Sequence, residues 1–265
     1  MCAATRGDQL TRVTKISDGH YAKKQLRCPS SIVSFSHHAR FRKAIALAGV
    51  DPDGALLDYG SGDGTFLGLV ADRFATCLGA DIALDQVEDC RHRFAAVPNV
   101  RFCQTSDLAG PEHTAAYHVV TCMEVLEHCT PRAVDGVLSD LSRLVAPKGR
   151  ILISVPIETG PSFLLKYAVR TTAGWRGLSD YRHYESYSPL HTARMLFASA
   201  RTNVPRPVYG EAGAEFHSHY GFNWRRLRDR VRESLIVERT LFSPFDVPGG
   251  WFSSQAWLIC RPPSI

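Results

Sequence analysis

Two short runs in this chain carry residue types that can do chemistry. The first is Asp58-Tyr59-Gly60-Ser61-Gly62-Asp63-Gly64. It follows the apolar stretch Ala55-Leu56-Leu57 and precedes Thr65-Phe66-Leu67-Gly68-Leu69-Val70, the pattern of a buried strand, a glycine turn and a helix start. The second is Met123-Glu124-Val125-Leu126-Glu127-His128. If that turn is helical, positions i, i+3 and i+4 share a face, so Glu124, Glu127 and His128 project together. Two carboxylates and an imidazole can ligate a divalent cation, can present His128 as a general base near neutral pH, or can simply hold a loop.

The glycine loop needs its glycines because the backbone turns sharply and a ligand must come close. A strand that feeds such a loop and then a helix cradles nucleotide-like cofactors. The dinucleotide fingerprint requires glycine or alanine where this chain has Thr65, with its glycine one residue early at Gly64. Two acids follow in order. Asp81, with Ile82 beside it, closes the next predicted strand, where a carboxylate accepts hydrogen bonds from ribose hydroxyls. Ser106-Asp107-Leu108 follows the third, where a carboxylate can accept from an adenine amino group. Asp81 also has a plain reading as a helix cap, a role for which Asp85 competes.

These residues must be positioned by alternating strands and helices. The pattern predicts strands at 55–59, 76–82, 100–105, 118–123 and 150–155, and helices at 36–49, 65–74, 84–96 and 131–145. After Val155 the regularity lapses. Residues 156–187 read as a lid with a short helix at 163–170. A helix at 189–200, a strand at 204–209, a helical insertion over about 211–250 and a last strand at 253–260 follow. The insertion centres on the amphipathic run 224–237, with Trp224, Leu227, Val231 and Leu235 on one side and five arginines around the other. This is an α/β chain: a doubly wound, mostly parallel seven-stranded sheet with helices on both faces and a C-terminal insertion and lid. The expected division is a basic arm and helix at 1–43 and one domain at 44–265.

Composition is that of a globular domain, 45% hydrophobic and 22% charged. Apolar runs fall short of the roughly 18 residues that span a bilayer. The eight cysteines form no C-x-x-C pair, so zinc and dithiol chemistry are not suggested, and a reducing cytoplasm is expected. The net charge of +5 is uneven: residues 1–43 carry nine Lys/Arg against two Asp, and residues 221–240 six Arg against three acids. Such asymmetry suits a polyanion such as nucleic acid, or a membrane surface, as well as an ordinary solvated face. Trp224, Leu241-Phe242-Ser243-Pro244-Phe245 and Trp251-Phe252 are the candidates for lipid contact.

Taken together, residues 55–157 resemble the class I S-adenosylmethionine (SAM) methyltransferases, a Rossmann-like fold. The resemblance rests on the glycine loop, on Asp81 and Asp107, on the Met-Glu-Val-Leu-Glu-His run, and on Leu144-Val145-Ala146-Pro147-Lys148-Gly149-Arg150 before a strand. It is nearest in motif to the ubiquinone-biosynthesis O-methyltransferase type. The resemblance implies SAM as cofactor, held by Asp58, Gly60, Ser61, Gly62, Gly64, Asp81, Ile82, Asp107, Leu108 and Met123. It further implies that Arg40 reaches the cofactor carboxylate. His128, with Glu124, is the candidate catalytic group for a small-molecule oxygen acceptor. The E-x-x-E-H run is also similar to the metal-binding turn of small-RNA 2′-O-methyltransferases, which implies Glu124, Glu127 and His128 as ligands of Mg²⁺. An RNA or lipid-linked acceptor, and a non-catalytic interaction protein, are the competing readings.

Overall fold

The computed structural model describes residues 31–164, 166, 187–211, 215–247 and 249–263. Two compact units divide the chain. The first runs to Met123 and adds Arg143–Leu152; the second is Glu124–Ser142 with Ile153 onward.

The first unit opens with helix α1 (Ser31–Ala48). Gly49 ends it at φ 72, donating its N–H to Ile45, a left-handed stop that favours glycine. Strand β1 (Asp51–Tyr59), helix α2 (Thr65–Val70), strand β2 (Phe74–Asp81), helix α3 (Leu84–Arg93), strand β3 (Val100–Gln104) and strand β4 (Tyr117–Met123) then alternate. β1 lies parallel to both β2 and β4, and β2 parallel to β3. Asp58 stands opposite Thr121, so β1 and β4 end level with each other. Ligands bind in such sheets beyond the carboxyl ends of the strands, where the order reverses. Leu56, Leu57, Leu67 and Val120 are fully buried and fill the core of this unit.

Helix α4 (Pro131–Leu144) and strand β5 (Val145–Pro156) begin in one unit and end in the other. The rest of the second unit is helix α5 (Pro189–Leu196), the two-residue strands β6 (Val208–Tyr209) and β7 (Phe216–His217), helix α6 (Trp224–Ser234), and strands β8 (Ile236–Ser243) and β9 (Gln255–Arg261). Its core includes Phe163, Val231 and Trp257, and Trp257 Nε1 donates to Ser243 Oγ at 3.1 Å. The large sheet has the order β3-β2-β1-β4-β5-β9-β8, with β8 antiparallel to β9, and β6-β7 form a separate ribbon. The expected mostly parallel seven-stranded α/β sheet is present.

Several expectations need correction. The seventh strand is β8, inside the span read as a helical insertion. Residues 204–209 contribute only β6, outside the main sheet. β8 was hidden because it is an edge strand with Glu238 and Arg239 in its middle, so its alternation is weak; Glu238 pairs with Arg261 of β9 at 2.9 Å. The boundary at residue 43 falls within the continuous helix α1. Phe74 belongs to β2, because α2 stops at Val70. Trp224 is buried and packs edge-on against Phe242 with centroids 5.6 Å apart, so it is core and no lipid contact. Of the lid, residues 165 and 167–186 lie outside the described residues, as do 1–30 of the basic arm. Among the described residues no helix is long and apolar enough to cross a membrane.

Candidate active site

The glycine loop takes its shape from three positive φ angles: 80° at Gly60, 51° at Gly62 and 71° at Gly64. The two later glycines are needed for different reasons. A Cβ at Gly64 would lie 2.9 Å from both Phe94 and Phe102, whereas a Cβ at Gly62 would meet nothing within 4 Å. Gly64 therefore serves packing, and Gly62 faces open space. The loop is tied down by backbone N–H groups of Gly60 and Ser61, both donating to Ala80 at 2.7 and 3.0 Å. Asp81 holds it from the other side. Its Oδ2 accepts from Gly62 N–H at 2.8 Å and its Oδ1 from Ala83 N–H at 3.0 Å. A carboxylate has about four acceptor sites, so Asp81 retains capacity for ribose hydroxyls.

This cradle fits a nucleoside cofactor. Ser61 Oγ is buried and has no hydrogen-bond partner among the described residues, a cost that a bound ligand would remove. Ile82 is 78% exposed immediately after Asp81, an apolar side chain held out as a flat base would require. Asp107 is partly committed: its Oδ2 accepts from Gln104 N–H at 3.0 Å in a capping box, leaving Oδ1 for a donor. Leu108 supports this turn from within. Its side chain is fully buried and its carbonyl accepts from Arg143 at 2.9 Å, so it anchors the turn and presents no side chain to a ligand.

Asp58 and Arg40 lie within the protein, 2% and 4% exposed. Asp58 Oδ1 accepts from Thr121 Oγ1 at 2.6 Å. Burial pushes the Asp58 carboxyl up to about 7, with the charge of Asp81 adding to the rise and Thr121 and Arg40 opposing it.

Met123 ends β4, and the second unit begins at the next residue. Glu124 has φ 58, a left-handed conformation that costs a non-glycine residue about 1–2 kcal/mol. Its N–H donates to Ser154 at 3.0 Å. Strain of this kind gathers at functional sites. It also breaks the helical turn expected from the sequence: Glu124 stands outside a short turn at residues 126–128, closed by His128 N–H donating to Val125 at 2.9 Å. Glu124 consequently leaves the metal-ligand group expected from spacing. The cluster able to hold a cation among the described residues is Glu127, His128 and His219, whose ligand atoms lie within 4.8 Å of one another.

Glu127 is fully buried. His128 is fixed by the segment leading to His219. Its Nδ1 lies 2.9 Å from the His217 carbonyl, and the His217 N–H donates back to the His128 carbonyl at 2.8 Å. A carbonyl only accepts, so Nδ1 carries the proton and Nε2 of the neutral ring offers its lone pair. Burial holds the His128 pKa below its ordinary 6.5; the bond to His217 and the charge of Glu124 oppose that shift, and His219 and Arg206 add to it. His128 Nε2 faces His219 Nε2 at 3.3 Å, and His219 Nδ1 lies 3.7 Å from the buried Glu158, which also pairs with Lys166 at 3.1 Å. His217, His219 and Arg206 were not singled out from the sequence; the His217-Ser218-His219 run was the available signal.

Residues 35–199 match a family described as a methyltransferase domain. That match spans more than half of the chain, and the chain belongs to this family; its domain is of the SAM-dependent methyltransferase class. Among curated proteins it is similar to the ubiquinone biosynthesis O-methyltransferases of Paracidovorax citrulli (32% identical over 157 residues, 56% of this chain and 63% of that one) and Idiomarina loihiensis (27% over 153 residues, 56% and 62%). The match thus spans less than two thirds of the length of those relatives. Among solved structures it shares its fold with the PH0226 protein of Pyrococcus horikoshii OT3 (TM-score 0.58, 13% identity, 93% of this chain and all of that one). It shares it also with the methyltransferase domain of bacterial CtHen1 (TM-score 0.54, 14% identity, 86% and 99%).

Proposed function

We propose that this protein transfers the methyl group of SAM to an oxygen of a small molecule, with His128 as general base. The carrying observation is the His128 ring: Nδ1 is spent on the His217 carbonyl, and burial favours the neutral form. Bound SAM supplies a methyl activated on its sulfonium. The chain must then hold the parts and move one proton. The 60–64 loop and Asp81 bind the nucleoside, Asp107 and Ile82 its base, and Arg40 the carboxylate. Once the acceptor hydroxyl displaces His219 from its 3.3 Å contact, His128 Nε2 takes the proton of that hydroxyl. The O-methyltransferase names of the curated relatives support an oxygen acceptor.

Calorimetry with SAM, S-adenosylhomocysteine and NAD tests the cradle: micromolar binding of the first two without NAD is expected, and failure to bind SAM defeats the reading. For the base, 3,4-dihydroxybenzoate serves as a probe acceptor. His128→Ala should bind SAM as before and lose most turnover; wild-type turnover would remove His128 from the mechanism.

A second reading gives Glu127, His128 and His219 to a divalent cation, a mixed oxygen and nitrogen set suited to Mn²⁺ or Zn²⁺ at least as well as to Mg²⁺. Titration with each metal, read against Glu127→Gln, separates it from the base reading. A third gives the acceptor a lipid tail. Phe245, Val247, Trp251 and Phe252 are 52–83% exposed, all between β8 and β9. An RNA acceptor has less support. Arg225, Arg228, Arg230 and Arg232 of α6 hold partners at Thr159, Asp229, Asp135 with Glu233, and Asp229.

A further inference from the structure

We propose that Arg206 is the positioning residue of the His128–His219 pair. Arg206 lies in the connection between α5 and β6, outside every motif read from the sequence. One guanidinium serves two segments. Its Nε donates to the Tyr220 carbonyl at 3.1 Å, and its Nη2 donates to the carbonyls of Ser218, at 2.6 Å, and of Glu127. Ser218 and Tyr220 flank His219, and Glu127 precedes His128. The guanidinium carbon sits 5.3 Å from the centre of the Phe222 ring, which fixes its plane. The two histidines come from distant parts of the chain, and their direct contact is a single 3.3 Å approach of Nε2 to Nε2. The two bonds between His217 and His128, one backbone to backbone and one from the His128 ring to the His217 carbonyl, align one side of the turn. Arg206 closes the other, drawing the carbonyls around both imidazoles to one rigid fork. Lysine cannot replace it, because one ammonium on a flexible stem has no planar fork to span three carbonyls from two segments. Arg206 touches no reacting atom in this account, and its importance for turnover rests on the reading of His128 as base.

The test uses the full chain with Arg206→Lys and Arg206→Ala. The primary readout is the nuclear Overhauser contact between the His128 and His219 rings, whose centroids are 4.9 Å apart. The contact is expected in the wild type, weakened in Arg206→Lys and lost in Arg206→Ala, while calorimetric SAM affinity stays within about twofold. With 3,4-dihydroxybenzoate, kcat should fall about 10- to 100-fold at an unchanged KM for SAM, and methylguanidinium should restore part of it in Arg206→Ala. An unchanged ring contact in both variants would overturn the proposal. So would loss of the contact accompanied by equal loss of SAM affinity, which marks general unfolding. If Arg206→Ala does not fold, Arg206→Lys decides by the same comparison. His128→Ala runs alongside: wild-type turnover there defeats the base reading alone, and the ring contact still decides Arg206.

Discussion

The Nε2 atoms of His128 and His219 face each other at 3.3 Å although 91 residues separate them in sequence. Because His128 keeps its proton on Nδ1, His219 Nε2 must carry a proton, or a cation must lie against both nitrogens, since two lone pairs repel. Either way the two rings act as a unit. Effects of their removal should therefore be far from additive. With 3,4-dihydroxybenzoate, His128→Ala, His219→Ala and the double variant should show nearly equal losses of kcat/KM. Losses that multiply would mean the rings work independently.

The two glycines of the cradle should fail in different ways. Gly64→Ala places a Cβ 2.9 Å from two phenylalanine rings at a positive φ, and should lower stability by about 2–4 kcal/mol. Gly62→Ala meets no protein atom and should cost only about 1–2 kcal/mol of backbone strain. Gly62→Val should nevertheless weaken SAM binding by tenfold or more. Urea denaturation and calorimetry on the three variants check this; retained affinity in Gly62→Val would reject the cradle.

Asp58 should make stability depend on pH. Its folded pKa is about 7 against 3.8 for the free group, so the folded state keeps a proton that the unfolded chain releases. The stabilisation from that proton is complete below pH 3.8 and is lost as pH rises to about 7, at most about 4 kcal/mol. Asp58→Asn keeps an acceptor for Thr121 and removes the titration. Denaturation of both proteins at pH 5, 6, 7 and 8 should show the variant gaining on the wild type across that range. Parallel curves would contradict the buried, protonated carboxyl.

The exposed side chains between β8 and β9 bear on the acceptor. If they meet a membrane surface, phosphatidylcholine–phosphatidylglycerol vesicles should sediment the wild type, and serine at Val247, Trp251 and Phe252 should abolish this. SAM affinity should not change. Equal sedimentation of both proteins would retire the lipid-linked acceptor.

The sequence by itself determined the βα frame and the glycine loop with its flanking acids. Both are local: Asp58 to Gly64 is a strand end and the loop directly after it, and Asp81 ends and Asp107 closely follows a strand whose apolar run is visible without its neighbours. Spacing carries such features because backbone geometry over a few residues is nearly fixed. The second half was harder to read for the same reason. β8 is a strand only because β9 supplies its hydrogen bonds. Glu124 leaves the expected face because its backbone is left-handed and its N–H goes to Ser154, 30 residues on. His219 and Arg206 join the turn through contacts reaching 79 to 91 residues along the chain, and no short-range pattern encodes those. Tertiary packing decided which imidazole His128 would meet, and burial decided that His128 would favour its neutral form.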